Sequence, residues 1–166
     1  MITIISGTNR SNSNTEKIAK QYRDMLKEKG IESNYFSLEH LDVQRRNPAI
    51  EQLENEILIP SNKFIFVAPE YNGSIPGVLK SLIDNTDIKK TWWGKKALLV
   101  GVSTGRAGNL RGMEHLTGIL HYVKVVVHPN KLPISMVDKL LNGSGPVTDQ
   151  GTLDAISSQL DEFIEF

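Results

Sequence analysis

Residues 63–83 read KFIFVAPEYNGSIPGVLKSLI, and the fold of the chain is decided in this stretch. Its first six residues are almost all apolar, which is typical of a strand buried on both faces of a parallel sheet. Pro76 is predicted to be the first residue of a helix. The apolar residues that follow it recur at helical spacing. A buried strand, a loop with prolines and glycines, and an amphipathic helix therefore follow one another directly.

The same succession recurs along the chain on both sides of this stretch. Short apolar runs predict strands, which span residues 2–6, 31–38, 63–68, 97–102 and 123–128. Apolar residues at helical spacing predict the helices, at residues 15–29, 50–58, 76–86, 109–122 and 152–166. This alternation predicts an α/β fold, because parallel strands need long right-handed crossovers, which place helices on both faces. Five strands favour a doubly wound five-stranded parallel sheet of order 2-1-3-4-5.

Length and composition narrow the class of protein. A chain of 166 residues predicts a single domain over 1–166. Lysine plus arginine and aspartate plus glutamate both number 19, and this balance argues against a nucleic-acid binder and a strongly acidic electron carrier. The absence of cysteine excludes disulfides, thiol nucleophiles and iron–sulfur clusters. Because no apolar run suits a signal peptide or a membrane span, we expect a cytoplasmic protein with no membrane partner.

The candidate site is the group of loops that follow strands one, three and four, because ligands of such sheets bind beyond the carboxyl ends of the strands. The first loop reads SGTNRSNSNT over residues 6–15. Its hydroxyls, amides and single arginine, at the start of a helix, are the donors that a phosphate group needs. It lacks the glycine fingerprints of dinucleotide and nucleotide-triphosphate sites. A polar strand–helix turn, capped by Ser13 with Glu16, is the alternative explanation.

The second and third loops suit a planar ligand. The second, PEYNGSIPG over residues 69–77, has two prolines that restrain it and two glycines that allow close approach to its backbone. The third, STGRAGN over residues 103–109, also follows a buried strand and carries glycines and hydroxyl donors. Arg106 is either a ligand of a phosphate or carbonyl group or an ordinary solvated side chain. The second loop is equally explained as a rigid turn before a helix.

Two of these loops resemble the motifs of a known family. Residues 7–14, GTNRSNSN, are similar to the Gly-Ser-x-Arg-x-x-Ser-x-Asn opening of the NADPH-dependent FMN reductases, which have a flavodoxin-like fold. Residues 69–84 are similar, over a longer and more specific stretch, to that family's Pro-Glu-Tyr-Asn-x-Ser-x-Pro-Gly-x-Leu-Lys-Asn-x-Ile-Asp motif. The resemblance covers about residues 1–130. Three parts of the sequence depart from the family pattern. Ser81 stands where the family has asparagine, the third loop differs from the family's, and residues 131–151 match no motif of the family.

The resemblance implies a bound FMN, with its phosphate on the first loop and its ring along the second and third. The implied cofactor-binding residues are Thr8, Arg10, Ser13, Asn14, Thr15, Pro69, Glu70, Tyr71, Asn72, Gly73, Ser103, Thr104, Gly105, Arg106 and Gly108. It also implies that NADPH or NADH reduces a second acceptor through FMN by a ping-pong mechanism, the acceptor being free flavin, a quinone, an azo dye or a metal ion. Because the flavin carries this chemistry, no side chain is nominated as a catalytic acid or base.

Other classes of protein fit the sequence less well. A flavodoxin-type electron carrier or a flavin-bound sensor would use the same loops without turnover of NAD(P)H. Residues 101–105, GVSTG, match the nucleophile motif of hydrolases, but Glu114, the only acid that precedes a histidine after it, is predicted on a helix. The four histidines show no close pair, so we expect no metal site.

Adjacent tryptophans, Trp92 and Trp93, and the apolar side of the helix at 76–86 offer more apolar surface than one small sheet requires. The two rings point to opposite sides of an extended segment, so one of them is equally explained as core. From these residues, and from the resemblance, we predict a homodimer or a dimer of dimers. The other predicted partner is a small-molecule electron acceptor, with no nucleic acid.

Overall fold

The computed structural model describes residues 1–143 and 145–166 and contains a parallel β-sheet. Its strands are β1 (Ile2–Ser6), β2 (Ser33–Ser37), β3 (Lys63–Pro69), β4 (Lys96–Val102), β5 (Val126–Val127) and β6 (Leu132–Ile134). Hydrogen bonding follows the order β2-β1-β3-β4-β5, and the additional short strand β6 pairs with β4. The predicted order is therefore confirmed, and it is that of the flavodoxin-like doubly wound fold.

Helices cover both faces of the sheet. One face carries α1 (Asn14–Glu28) and α6 (Gln150–Glu165), and the other carries α3 (Gly77–Asn85) and α5 (Leu110–Tyr122). Two shorter helices are α2 (Pro48–Leu53), which continues as a π-helical turn over Glu54–Leu58, and α4 (Ile88–Thr91). Within the described residues, none of these helices combines the length and the apolar composition required to cross a bilayer.

The strands divide their side chains between two cores, because alternate residues of a strand point to opposite faces. In β3, Ile65 and Val67 belong to the core under α1 and α6, whereas Phe64 and Phe66 belong to the core under α3 and α5. All four side chains are inaccessible to solvent. Burial on two faces therefore accounts for the nearly continuous apolar run of this strand.

The last part of the sheet differs from the single strand predicted over 123–128. The two residues of β5 pair only with Lys96 and Ala97, and β6 pairs with Val100–Val102 further along β4. His128 still donates its backbone N–H to the Ala97 carbonyl oxygen at 2.8 Å. Pro129 follows and has no N–H with which to continue the ladder. Two short segments, with a break between them, therefore cover this side of β4.

A buried glutamine fills the break. Gln159 of α6 is inaccessible to solvent, and its Nε2 donates to the carbonyl oxygens of Leu99 at 3.3 Å and Asn130 at 2.8 Å. Leu99 lies between the two paired segments of β4. The Oε1 of Gln159 accepts the hydroxyl of Tyr22 at 2.5 Å. Burial raises the pKa of Tyr22 well above its ordinary value, so this hydroxyl stays protonated as the donor.

The fold separates the two adjacent tryptophans. Trp92 is inaccessible to solvent and its ring centroid lies 5.1 Å from that of Phe64, while its Nε1 donates to Thr86 Oγ1 at 2.9 Å. Trp93 is 40% exposed, and the Nζ of Lys124 lies 3.8 Å from its ring centroid. The sequence left open whether these tryptophans form apolar surface or belong to the core, and Trp92 belongs to the core. The predicted homodimer or dimer of dimers stays a prediction.

Candidate functional site

The loops after β1, β3 and β4 meet at the carboxyl edge of the sheet and enclose a cleft. Its volume of about 550 Å³ is within the usual range of small-molecule sites. The residues that line it are Arg10, Ser11, Asn12, Ser13, Asn14, Thr15, Pro69, Glu70, Tyr71, Asn72, Gly73, Val102, Ser103, Thr104, Gly105 and Val137. This cleft is the candidate site, because it lies where the strand order reverses.

The first loop places the N-terminus of α1 at the cleft. Ser13 is the N-cap, and its Oγ accepts the backbone N–H of Glu16 at 3.1 Å. The Glu16 carboxylate pairs with Lys20 at 2.6 Å, so the reciprocal half of the predicted capping box is replaced by an ion pair along the helix. The first-turn amides of Asn14 and Thr15, two lining residues, have no acceptor within the helix. This end of the cleft therefore favours an anion.

The second loop contains a tight turn. Tyr71 and Ser74 exchange two backbone hydrogen bonds of 2.9 and 3.1 Å, and Asn72 and Gly73 between them both have positive φ. This combination defines a type I′ turn, which the Asn-Gly pair favours. The guanidinium of Arg111 lies against Gly73, where an added Cβ would come within 2.9 Å of its Nη1. Glycine adopts this positive φ at no steric cost, and its lack of a side chain leaves room for Arg111.

The same loop is also attached to the helices on its side of the sheet. Ser74 Oγ lies 2.8 Å from His115 Nδ1, a hydrogen bond that connects the turn with α5. Pro76 is the N-cap of α3, with an extended backbone, and Gly77 is the first helical residue. The helix thus begins one residue later than the sequence predicted. A proline locks φ near the helical value but leaves ψ free, and here ψ is extended.

The third loop is closed by the side chain of Ser103. Its Oγ donates to the Gly105 carbonyl oxygen at 2.9 Å and accepts the N–H of Gly108 at 3.0 Å. The buried Asn109 then begins α5 as its N-cap, and its Nδ2 donates to the Ala68 carbonyl oxygen at 2.9 Å. The third loop is therefore tied both to itself and to the end of β3.

A fourth segment, which no motif indicated, completes the cleft. After β6, the backbone N–H of Met136 donates to the Gly105 carbonyl oxygen at 2.9 Å, and that of Val137 donates to the Ser103 carbonyl oxygen at 3.1 Å. Val137 is 1% exposed and still lines the cleft. Its position depends on the pairing of β6 with the end of β4, a long-range contact that the local sequence does not signal.

Most of the residues implied by the sequence line the cleft, and three do not. Thr8 is 1% exposed, Arg106 is exposed outside the lining, and Gly108 is buried against Pro133. Four lining residues were not predicted from the sequence, namely Ser11, Asn12, Val102 and Val137. The first two belong to the first loop, and Val102 ends the strand before the third. Taking whole loops with their flanking residues would have found these three.

The charged side chains of the cleft lining are Arg10 and Glu70, and both are exposed. The guanidinium carbon of Arg10 lies 4.2 Å from the centroid of the Tyr71 ring. The other lining groups are mostly hydroxyls, amides and backbone, which bind and orient a ligand by hydrogen bonds. In the part of the chain that the structure describes, no cluster of three or more histidine, aspartate or glutamate side chains is placed to hold a metal ion.

Comparison with known proteins assigns the chain to a family. The family model described as NADPH-dependent FMN reductase matches residues 1–138, a range that contains every residue of the cleft lining. The chain belongs to the NADPH-dependent FMN reductase family. Two relatives and one solved structure are similar to this FMN reductase family member.

The chain is 33% identical over 118 residues to an NAD(P)H-dependent FMN reductase of Pseudomonas aeruginosa, which covers 68% of this chain and 62% of the relative. It is 34% identical over 131 residues to a quinone reductase of Escherichia coli, which covers 75% of this chain and 70% of the relative. The chain thus spans 62% and 70% of the lengths of these two relatives.

The solved structure of FerB, a flavoenzyme NAD(P)H:(acceptor) oxidoreductase from Paracoccus denitrificans, matches this FMN reductase family member with a TM-score of 0.82. The match covers 99% of this chain and 94% of that chain at 23% sequence identity. At this identity, the likeness shows a shared fold.

Proposed function

We propose that the chain is an FMN-dependent oxidoreductase that uses NADPH or NADH to reduce a second acceptor. The observation that supports this most directly is the make-up of the cleft, which is lined by the N-terminus of α1, suited to an anion, and by two glycine-containing loops. Membership of the NADPH-dependent FMN reductase family supports the same function. Residues 1–166 would then form a single flavodoxin-like FMN-binding domain.

The first loop fits the phosphate of FMN. Arg10 offers a guanidinium that can hold two phosphate oxygens at once. Ser13 already accepts a backbone hydrogen bond through its Oγ, which leaves its hydroxyl hydrogen for an anion. The amides of Asn14 and Thr15 add donors at the positive end of α1.

The second and third loops, with Val137, fit the flavin ring. The hydrogen bonds of the type I′ turn are made by Tyr71 and Ser74, so the turn itself does not use the amides of Asn72 and Gly73. Backbone N–H groups at such positions stabilise negative charge that develops on a bound ring. Val137 and Val102 add apolar surface on the side of the third loop. Of the other implied residues, Thr104 and Gly105 line the cleft beside Ser103, and Pro69 and Glu70 line it before Tyr71.

Bound FMN would supply the redox chemistry, taking a hydride from NAD(P)H and passing two electrons to free flavin, a quinone, an azo dye or a metal ion in a ping-pong cycle. The chain's own residues bind and orient the reactants and stabilise charge. Tyr71 is not assigned a proton-transfer role, because its hydroxyl is engaged with Thr8 Oγ1 at 2.6 Å. A small-molecule acceptor is the expected second substrate, and the lack of cysteine fits a reducing cytoplasm.

The spectrum and the released flavin of the purified protein test the cofactor. We expect a yellow protein that releases FMN, because the first loop has phosphate donors but no pyrophosphate fingerprint. Chromatography of the denatured protein identifies the flavin, and FAD or no flavin would contradict the proposal.

Turnover tests the activity. We expect steady NADPH or NADH consumption in the presence of a quinone or free FMN. A flavodoxin-type carrier or a flavin-bound sensor would bind the same cofactor without steady consumption of either nicotinamide. Reduction of bound flavin only by a protein partner would therefore favour the carrier.

A further inference from the structure

Three side chains of the first and second loops contact one another in series. The Tyr71 hydroxyl lies 2.6 Å from Thr8 Oγ1. The face of the Tyr71 ring contacts Arg10, whose guanidinium carbon lies 4.2 Å from the ring centroid. Thr8 is 1% exposed, whereas Arg10 is exposed. The series therefore runs from a buried hydroxyl, through an aromatic ring at the cleft wall, to a cation at the cleft.

The Thr8 hydroxyl is occupied within the protein. Its Oγ1 accepts the backbone N–H of Arg10 at 3.2 Å and shares a second hydrogen bond with Tyr71. A hydroxyl has one donor and two acceptor positions, and burial keeps this one away from the cleft. Through these two contacts the Thr8 hydroxyl can act on the conformation of Arg10 and Tyr71. The direct phosphate contact that the resemblance implied stays a prediction.

The Arg10 side chain needs such support. A long, exposed arginine loses rotamer freedom when it is held in one place, and this loss weakens any contact that it makes with an anion. Stacking on an aromatic face restricts the planar guanidinium while its N–H edge stays available for hydrogen bonds. Tyr71 provides that face, and the Thr8 hydroxyl holds the tyrosine ring from its other end.

We propose that Tyr71, held by Thr8, is a positioning residue that presents Arg10 to the phosphate of the flavin. This inference rests on the proposed function for the location of the phosphate. It assigns Tyr71 an effect on the phosphate part of the cofactor, although the tyrosine stands in the loop expected beside the ring.

Riboflavin separates the two effects, because it has the ring of FMN but no phosphate. The full-length apo-protein is titrated with FMN and with riboflavin, and the ratio of the riboflavin Kd to the FMN Kd measures the contribution of the phosphate. We expect Tyr71→Leu to lower this ratio about 2- to 5-fold, in line with an exposed cation–π contact. In the Arg10→Ala background, Tyr71→Leu should leave the ratio unchanged.

Hydroxyl variants test the role of Thr8 separately. Tyr71→Phe removes only the tyrosine hydroxyl and should lower the ratio in the same direction. Thr8→Val removes the acceptor of the Arg10 backbone N–H as well, so it does not isolate the contact with Tyr71, whereas Thr8→Ser keeps a hydroxyl for both contacts and should leave the ratio near that of the parent. Tyr71→Phe also carries the test if Tyr71→Leu fails to fold. Tyr122→Leu is the matched control, because Tyr122 is 84% exposed and outside the cleft lining.

Each outcome decides the inference. If Tyr71→Leu weakens both flavins equally, the residue contacts the ring and the inference is overturned. A fall in the ratio that persists in the Arg10→Ala background overturns it as well. If the unmodified protein binds neither flavin, the proposed function fails and this inference with it, whereas binding of both with an unchanged ratio in every variant overturns the inference alone.

Discussion

The carbonyl oxygen of Gly108 packs directly on the backbone of Gly101, so that a Cβ atom on Gly101 would overlap it. Gly108 itself has a φ of 55° and lies against Pro133 of β6. The third loop therefore folds back onto β4 only because both positions are glycine.

Gly101→Ala should destabilise the fold by about 1–3 kcal/mol, the usual cost of forcing extra atoms into a packed site. It should also weaken flavin binding, because the third loop lines the cleft. Urea unfolding measures the first effect and flavin titration the second. Gly118→Ala is the control: Gly118 lies in α5 with open space around it, so we expect a gain of up to about 1 kcal/mol. Equal stability of the two variants would contradict the packing argument.

Gln159→Leu tests the break between β5 and β6. The substitution leaves the Leu99 and Asn130 carbonyl oxygens and the Tyr22 hydroxyl without the partners described above. A buried group without a partner costs about 1–3 kcal/mol, so urea unfolding should show a loss of at least that size. Gln52→Leu, at an exposed glutamine of α2, should change stability by no more than about 0.5 kcal/mol. A similar small change for Gln159→Leu would mean that the break needs no side-chain partner.

Arg10→Ala should weaken FMN binding by about 10- to 150-fold and leave the fold intact. A charge-assisted hydrogen bond contributes about 1.5–3 kcal/mol, and each 1.4 kcal/mol is tenfold in affinity. Fluorescence quenching of FMN by the apo-protein measures the effect. The FMN affinity of Arg10→Lys should lie between those of the parent and of Arg10→Ala. Lysine keeps the positive charge but lacks the planar guanidinium that can hold two phosphate oxygens.

Arg106→Ala is the matched control, since Arg106 is exposed and does not line the cleft. Its affinity should stay within about threefold of the parent. An Arg10→Ala protein that also stays within about threefold would place the phosphate on hydroxyl and backbone donors alone.

The N-cap of α6 should make stability depend on pH. The Thr152 hydroxyl and backbone N–H donate to the Asp149 carboxylate at 2.7 and 2.8 Å, and they lower the pKa of that carboxyl below its ordinary value. A lowered folded-state pKa stabilises the fold above the unfolded value, and this stabilisation is lost as the pH falls through the folded value.

Asp149→Asn keeps a capping oxygen but removes the charge. The stability advantage of the parent over this variant should therefore be larger at about pH 6 than at about pH 3. Urea unfolding at both values checks the difference, and an advantage that is independent of pH would contradict it.

Light scattering at micromolar concentration should give the mass of a homodimer or a dimer of dimers. Trp92 no longer supports this prediction, because it is core. Trp93, at 40% exposure, and Ile88, at 41%, leave apolar surface beside α4 that a second copy can cover. A monomer mass would contradict the prediction.

Much of this architecture follows from local sequence patterns. Residues 64–68 are apolar at five consecutive positions of β3, and only a strand covered on both faces buries all of those side chains. Ser13 caps α1 as its type and position predict, and Asn72-Gly73 forms the turn that this pair favours. These features depend on neighbours within a few residues, so the sequence by itself determined strands β1 to β4, the main helices and three of the cleft's four walls.

Other features depend on residues far apart in the chain. Gln159 meets Leu99 across 60 positions, and this contact accompanies the division of the last strand into β5 and β6. Thr8 is engaged by Tyr71 across 63 positions, which places its hydroxyl outside the cleft lining. Val137 reaches the cleft only because β6 pairs with the end of β4. Only the tertiary structure decided these positions. Each depends on hydrogen bonds between groups that are far apart in the chain and come within reach only when the helices and strands pack together.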